Sequence, residues 1–216
     1  SSRPGAEPIN ADEEIRRVIP VIEALAREGA VVSIDTYKPE VSCEAIKGGA
    51  KIVNDIMGFQ NPLMRDVVVS HQVTAVVMHM QGTPQNMQDN PKYENVVREV
   101  KDFLQAQAEL LEQEGLEKEN IWIDPGIGFG KTLEHNLLLL RSVHDIATLG
   151  YPVLVGVSRK SFIGKLIDEP VPEKRLTGSI SAGIYALTHG VSILRVHDVR
   201  ETKQALDVWF ALTDFA

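Results

Sequence analysis

Six short apolar runs of the sequence each end in polar or ionisable residues, and these endings carry most of the chemistry that the chain offers. The endings read Ser33-Ile-Asp-Thr-Tyr37, Val53-Asn-Asp55, Met78-His-Met80, Asp124-Pro-Gly126, Val157-Ser-Arg-Lys160 and Arg195-Val-His-Asp198. If the runs are parallel strands of one barrel, their carboxyl ends meet at one side, where such folds place their active sites. We therefore predict one site built from the six endings, which we call the rim.

The rim is uneven in charge. One set comprises Asp35, Asn54 and Asp124. Its side chains offer carboxylate and amide oxygens as acceptors and a single amide group as donor. This set suits a flat heterocycle with several N–H groups. The other set is cationic or titratable and comprises Arg159, Lys160, Arg195 and His197. It suits a phosphate or a carboxylate, because an Arg fork binds such anions through two hydrogen bonds.

Each of these residues also has a simpler explanation. Asp35 precedes Pro39 and could cap the next helix. Asn54 and Asp55 could be turn residues, and Asp124-Pro-Gly126 is a common turn sequence. A rim ion pair could join Asp198 to Arg195 and His197. The recurrence of polar groups at all six endings favours a functional site over six independent explanations.

The glycine-rich run Gly126-Ile-Gly-Phe-Gly-Lys-Thr132 resembles a phosphate-binding loop but does not match one. The nucleotide-binding pattern needs a glycine five residues before Gly130, where this sequence has Pro125. The dinucleotide pattern fails as well, because the third glycine comes too early. We expect the glycines to let the backbone approach a flat ligand, with Phe129 available to stack on it. A short helix or turn begins near Ser161, whose N–H could bind a carboxylate or which could simply cap the helix.

Apolar runs alternate with helix-like stretches along the whole chain. The predicted strands are Ala30–Ile34, Ala50–Val53, Val73–Val77, Ile121–Ile123, Tyr151–Val157 and Ser192–Val196. The predicted helices are Asp12–Glu28, Pro39–Lys47, Pro62–Ser70, Tyr93–Gln113, Leu133–Ile146, Leu176–His189 and Glu201–Leu212. This alternation predicts a parallel sheet in a single domain, residues 1–216.

The number of strands leaves two architectures open. A closed eight-stranded barrel has about 250 residues and would need one more β-α-β portion at the front. The chain also opens on Ser1-Ser-Arg-Pro-Gly5, without Met or a leading strand. The predicted fold is therefore α/β, a (β/α)8 TIM barrel that lacks its first β-α-β portion in this chain. An open doubly wound sheet is the alternative, since it tolerates six strands.

Composition narrows the classes of function. The formal net charge of −8 argues against a general nucleic-acid binder. No apolar run approaches the ~20 residues of a membrane span, and no signal-peptide pattern is evident. The single cysteine, Cys43, permits no intrachain disulfide, which fits a reducing compartment, and we interpret it as a core residue.

Several motifs together resemble one family. They are Ser2-Arg-Pro-Gly5, Ser33-Ile-Asp-Thr36, Val53-Asn-Asp-Ile56, Asp124-Pro-Gly-Ile-Gly-Phe-Gly-Lys131, Ser158-Arg-Lys-Ser-Phe-Ile-Gly164 and Arg195-Val-His-Asp-Val199. In this order they look like the motifs of the bacterial dihydropteroate synthase family. The resemblance implies a transferase of folate biosynthesis. It would condense 6-hydroxymethyl-7,8-dihydropterin diphosphate with p-aminobenzoate, releasing diphosphate, and sulfonamides would compete for the p-aminobenzoate site.

The resemblance also implies roles for individual residues. The implied pterin-binding residues are Asp35, Asn54, Met78, Asp124, Phe129, Lys160 and Arg195. The implied diphosphate-binding residues are Arg195, His197, Ser2 and Arg3. The implied p-aminobenzoate-binding residues are Ser2, Arg3, Pro4, Phe129 and Ser161. The implied catalytic residues are Asp35, Lys160, Arg195 and His197.

Further implications concern cofactor, partners and location. The family binds Mg²⁺ on the diphosphate through an N-terminal Asn, so we expect no metal ligand in this chain. We expect a cytoplasmic homodimer that binds neither nucleic acid nor membrane. The alternatives are a pterin-dependent corrinoid methyltransferase, a truncated pterin-binding chain without turnover, and an unrelated barrel aldolase or sugar-phosphate enzyme. Arg195-Val-His197 and Ser158-Arg-Lys-Ser161 argue against the methyltransferase, which has no diphosphate to hold.

Overall fold

A computed structural model describes residue 5 and residues 7–213 of the chain. Its helices are α1 (Ala11–Arg27), α2 (Pro39–Lys47), α3 (Pro62–His71), α4 (Val96–Gln113), α5 (Leu133–Arg141), α6 (Val143–Ala147), α7 (Ser161–Ile167), α8 (Leu176–Leu187) and α9 (Val199–Thr213). Its strands are β1 (Ser33–Asp35), β2 (Ile52–Asp55), β3 (Thr74–Met78), β4 (Ile121–Asp124), β5 (Leu154–Val155) and β6 (Ile193–Leu194). Two 3₁₀ helices, Lys118–Asn120 and Pro172–Lys174, complete the elements of this part of the chain.

The strands lie side by side in chain order. Strands β1 to β4 form one parallel sheet, β5 and β6 pair in parallel, and a parallel bridge from Ile123 to Val153 joins the two groups. A doubly wound sheet would instead change direction at a switch point in its strand order. The sequential order is that of a (β/α)8 barrel, which confirms the predicted α/β class.

The register of the strands aligns the predicted site residues. Asp35 lies opposite Asn54 across β1 and β2, and Met78 lies opposite Asp124 across β3 and β4. Because the strands are parallel and aligned, their polar endings lie at the same side of the row. The fold thereby brings the polar residues of the rim together at one side of the row of strands.

Alternate strand residues face two different surroundings. One set is fully buried and packs under the helices, as Val53, Val77 and Ile123 do in the main core cluster. The other set faces the inside of the row, where a cavity of about 240 Å³ lies. The residues lining that cavity are Ser33, Asp35, Ile52, Asn54, Val76, Trp122, Leu154, Ile193, Leu194 and Arg195. Two-residue periodicity thus separates the core from the interior of the barrel.

The structure departs from the predicted boundaries at a few elements. The predicted helix Leu133–Ile146 is two helices, because the backbone at Ser142 leaves the helical region with φ −106° and ψ 17°. The predicted strand Tyr151–Val157 is only Leu154–Val155, and Pro152, before its start, has no N–H to donate to a neighbouring strand. Helix α4 begins at Val96 because the Asn95 side chain accepts from the N–H of Arg98.

We expect Leu104→Ala to destabilise the fold by about 2–5 kcal/mol, because it opens a cavity under α4. The side chain of Leu104 is 0% exposed within the main core cluster. Leu212→Ala is the matched control on α9, where the side chain is 80% exposed. Urea unfolding of both variants measures the difference. Equal losses would contradict the assignment of Leu104 to the core.

Candidate active site

An ion pair joins the first and last strand endings of the rim. Arg195 Nη2 donates to Asp35 Oδ2 at 3.0 Å, although 160 residues separate them in sequence. The pair is partly open to solvent, with Arg195 60% and Asp35 29% exposed. Burial raises the pKa of Asp35, and the charge of Arg195 opposes that shift. The alternative explanation, an ion pair of Arg195 with Asp198, is wrong, because Asp198 binds the guanidinium of Arg159.

Asn54 extends the acceptor side of the rim. Its side chain lies next to Asp35 in register and favours a lower pKa of that carboxyl, against the effect of burial. Its buried Oδ1 has no donor among the described residues, and Asn54 lines the central cavity. That oxygen is therefore an acceptor available to a ligand. Asp35 does not cap α2, whose N-cap residue is Lys38 without a side-chain bond.

Asp55, beside Asn54, has a structural role. Its carboxylate accepts from the N–H groups of Met57 and Phe59 at 2.8 and 2.9 Å. Burial raises the pKa of Asp55 to about 6, and these backbone donors oppose the shift. The turn interpretation from sequence fits Asp55, the last residue of β2, because its side chain binds the backbone that follows the strand, whereas Asn54 lies inside the strand.

Asp124 holds the start of the glycine-rich loop, residues 126–130. Its Oδ1 accepts from the N–H of Gly126 at 2.7 Å, so the turn interpretation also applies here. Burial raises the pKa of Asp124, and the charge of Lys160 is the largest influence against that shift. Gly126 has φ +67°, and a Cβ there would lie 1.9 Å from the carbonyl oxygen of His79. The loop thus packs directly on the end of β3.

Lys160 reaches the same loop from the end of β5. Its Nζ donates to the carbonyl oxygen of Ile127 and lies 4.8 Å from the centroid of the Phe129 ring. Burial lowers the pKa of Lys160 to about 8, and the charge of Asp124 opposes this. Gly156 keeps the space beside Lys160 and Arg195 open, since a Cβ there would touch both side chains.

His197 is held at the rim by a residue that had no assigned role from sequence. The Ser158 hydroxyl accepts from the backbone N–H of His197 at 3.2 Å and lies 3.0 Å from its Nδ1. Ser158 is buried. Its position in the Val157–Lys160 ending was the signal that could have identified it.

The structure describes only some of the residues that the resemblance implies for p-aminobenzoate binding. Ser2, Arg3 and Pro4 lie outside the described residues. Ser161 is exposed and is the first residue of α7, whose N-cap residue is Lys160 without a side-chain bond. The interpretation of Ser161 as the helix cap is therefore wrong.

A second group missed from sequence lies beside Asp35. Lys38 donates to the carbonyl oxygen of Ile9 at 2.7 Å and pairs with Glu14. The Thr36 hydroxyl donates to Glu14 at 2.7 Å. This network fastens the ending of β1 to the start of α1. No sequence pattern pointed to it, because the partners lie more than twenty residues apart.

Comparison with known proteins adds to this geometry. The family model described as pterin binding enzyme matches residues 1–197. The Escherichia coli (strain K12) dihydropteroate synthase is 44% identical over 209 residues, which are 96% of this chain and 74% of the relative. The chain belongs to the dihydropteroate synthase family.

Solved structures of the dihydropteroate synthase family have the same fold. The enzyme from Thermus thermophilus in complex with 4-aminobenzoate has a TM-score of 0.94 and 48% identity, covering 98% of this chain and 81% of that chain. The enzyme from Yersinia pestis with a sulfonamide drug has a TM-score of 0.94 and 38% identity, covering 100% and 78%. The TIM-barrel fold and the transferase class implied by the motifs are therefore confirmed. No helix among the described residues has the length and apolar character that crossing a membrane requires.

We expect Gly126→Ala to destabilise this dihydropteroate synthase fold by about 1–3 kcal/mol, through both backbone strain and the clash with His79. Gly29→Ala is the matched control, because Gly29 also has a positive φ, +82°, but nothing lies within 4 Å of an added Cβ. Urea unfolding of both variants separates strain from clash. An equal loss in both would show that close packing on His79 is unimportant.

Proposed function

We propose that the rim is the site at which this transferase condenses 6-hydroxymethyl-7,8-dihydropterin diphosphate with p-aminobenzoate. The products are 7,8-dihydropteroate and diphosphate, as in the folate biosynthesis of the family. One observation carries the assignment: acceptors and a cation meet at one cavity, with Asp35 and Asn54 lining it beside Arg195. A pterin diphosphate combines a ring rich in N–H groups with an anionic tail, which matches this arrangement.

The ring would bind on the acceptor side. Asp124 accepts from the amino group and ring N–H of the pterin, and Asn54 and Asp35 bind its other polar edge. Oδ1 of Asn54, which has no donor among the described residues, supports this assignment, since a buried acceptor is stabilised by a donor. Lys160 donates to the carbonyl side, while Met78, Phe129 and the stem of Arg195 cover the ring faces.

The bond that breaks joins the pterin methylene carbon to the diphosphate oxygen. The electron pair leaves with the diphosphate, where Arg195 and His197 stabilise the developing negative charge. The methylene carbon becomes part of a cation delocalised over the ring, which the Asp35 carboxylate stabilises. The amine of p-aminobenzoate then attacks this carbon and loses a proton. Positioning and preorganised charge supply the catalysis, without a covalent enzyme intermediate.

The second substrate would lie between the loop after β4 and the start of α7. Phe129 contacts the aromatic ring, and the carboxylate lies near Ser161, with Ser2, Arg3 and Pro4 closing over it. The exposed, uncapped start of α7 supports this placement, because N–H groups at a helix start attract anions. Sulfonamides would occupy the same position.

We expect Asp35→Asn to reduce kcat by about 100-fold or more, because it removes the charge that stabilises the pterin cation. The affinity for the pterin diphosphate should change by less than about fivefold, since the amide keeps a hydrogen-bonding oxygen. Single-turnover diphosphate release and calorimetry measure the two quantities. Asp66→Asn, at an exposed position on α3, is the matched control. Equal losses in kcat and affinity would refute the cation role.

Mg²⁺ is proposed as a component of the substrate. Among the described residues, no group of three or more His, Cys, Asp or Glu side chains could hold a metal ion, so this part of the chain does not fit a protein-built site. Mg²⁺ is often bound mainly through substrate phosphates. We therefore propose that Mg²⁺ would enter with the diphosphate and supply counter-charge to it.

Chelation of Mg²⁺ should weaken binding of the diphosphate half of the pterin substrate and leave binding of the ring half unchanged. With EDTA, the affinity for the pterin diphosphate should fall at least about tenfold, because the anion loses its counter-charge. The affinity for 6-hydroxymethyl-7,8-dihydropterin, which has no diphosphate, should not change. Calorimetry with and without Mg²⁺ measures both ligands. A loss of affinity for the ring alone would place the metal at the pterin instead.

We also propose that the chain acts as a cytoplasmic homodimer. An apolar groove of about 370 Å³ between α5, α7 and α8 supports the dimer. Leu166 and Ile167 line it and are 53% and 47% exposed. Adjacent apolar side chains of this exposure are typical of a surface covered by a partner. The single cysteine supports a reducing compartment.

A further inference from the structure

Lys131, the last residue of the Asp124–Lys131 motif, is a buried lysine without a role in the function proposed above. It is 3% exposed. Its Nζ lies 2.9 Å from the carbonyl oxygen of Phe129, 3.2 Å from that of His79 and 3.0 Å from His79 Nδ1. An ammonium group has three protons, so these three acceptors match its donors.

The three contacts join two separate segments of the rim. Phe129 lies in the loop after β4, and its main chain accepts from Lys131. His79 directly follows Met78, the last residue of β3. One side-chain nitrogen therefore ties the segment that carries Phe129 to the segment that carries Met78. These are two of the residues assigned to the substrate rings.

We propose that Lys131 is a positioning residue that sets the width of the slot between Met78 and Phe129, so that a flat pterin ring fits between them. The proposal rests on the proposed function, since it takes the ring to bind at these residues. Lys131 acts through the two segments and does not touch the substrate itself.

The packing around Lys131 supports this role. The loop lies directly on the β3 segment, since a Cβ at Gly130 would come within 2.5 Å of the carbonyl oxygen of Gln81. His79 is itself fixed, with its ring edge-on to Phe103 at a centroid distance of 5.1 Å. The ammonium of Lys131 thus bridges two surfaces that are already in contact and leaves little freedom between them.

The charges around Lys131 are consistent with this bridge. Burial lowers the pKa of His79 to about 3, so its imidazole is neutral and Nδ1 can accept a hydrogen bond from Lys131. Burial lowers the pKa of Lys131 to about 7, and the neighbouring carboxylate of Asp124 opposes this most strongly. Asp124 thus favours the ammonium form, which supplies all three donors.

The test compares ring binding with anion binding in Lys131→Met, which keeps the length of the side chain and removes its donors. The probes are 6-hydroxymethyl-7,8-dihydropterin for the ring and inorganic diphosphate with Mg²⁺ for the anion. We expect the ring affinity to fall about tenfold or more, as the loss of charged hydrogen bonds implies. The diphosphate affinity should stay within about twofold, because Arg195 and His197 are unchanged. Lys51→Met, at an exposed position before β2, is the matched control.

A second variant covers the case in which Lys131→Met does not fold. His79→Phe removes one acceptor and keeps the two carbonyl oxygens. It should therefore lower the ring affinity by a smaller factor, about two- to fivefold, with the diphosphate affinity again unchanged. Thermal unfolding sets a temperature at which each variant is fully folded.

The outcomes separate this inference from the proposed function. Normal ring affinity in the folded variants, or equal losses for ring and diphosphate, would overturn the positioning role while the wild-type chain still binds both probes. No ring binding by the wild-type chain would instead overturn the proposed function. A selective loss of ring affinity supports the role of Lys131.

Discussion

The parallel register of six strands is the constraint on which the other features depend. Each strand pairs with the next in chain order, so every polar ending lies at the same side of the row. A slip of one residue in any strand would exchange its inward and outward side chains. Asp35 would then point toward the helices, and Ile34 would enter the cavity. The core and the site are thus fixed by the same pairing, which is why apolar packing on one face positions polar chemistry on the other.

Within that frame, the buried charges of the site stabilise one another. Asp124 lies near Lys160 and Lys131, and Arg195 lies near Asp35. Burial alone would favour the neutral forms of Asp35, Asp124, Lys131 and Lys160, and the opposite charge near each works against that. The carboxylates and lysines of the rim therefore depend on one another for their protonation states. Removal of one partner changes the electrostatics of the others as well as its own contact.

The sequence predicted the order of elements and most of the rim, because both are local signals. Apolar runs marked the strands, and the residues that follow each run are by necessity at its end. Lys131 was read as part of a motif, but its contacts with His79 span 52 residues and depend on distances that no spacing rule provides. The same holds for Lys38 and Glu14. The break at Ser142 was missed because the apolar periodicity of Leu133–Ile146 continues across it.

The buried oxygen of Asn54 has a consequence for which ligands the site can bind. An acceptor that faces the cavity and has no donor within the described part of the chain is available to a group on the ligand. A guest that presents an N–H at this point gains a hydrogen bond on entry. A guest of the same shape that presents a carbonyl there would set two lone pairs against each other. Discrimination between look-alike heterocycles is therefore built into the resting chain, before any loop closes.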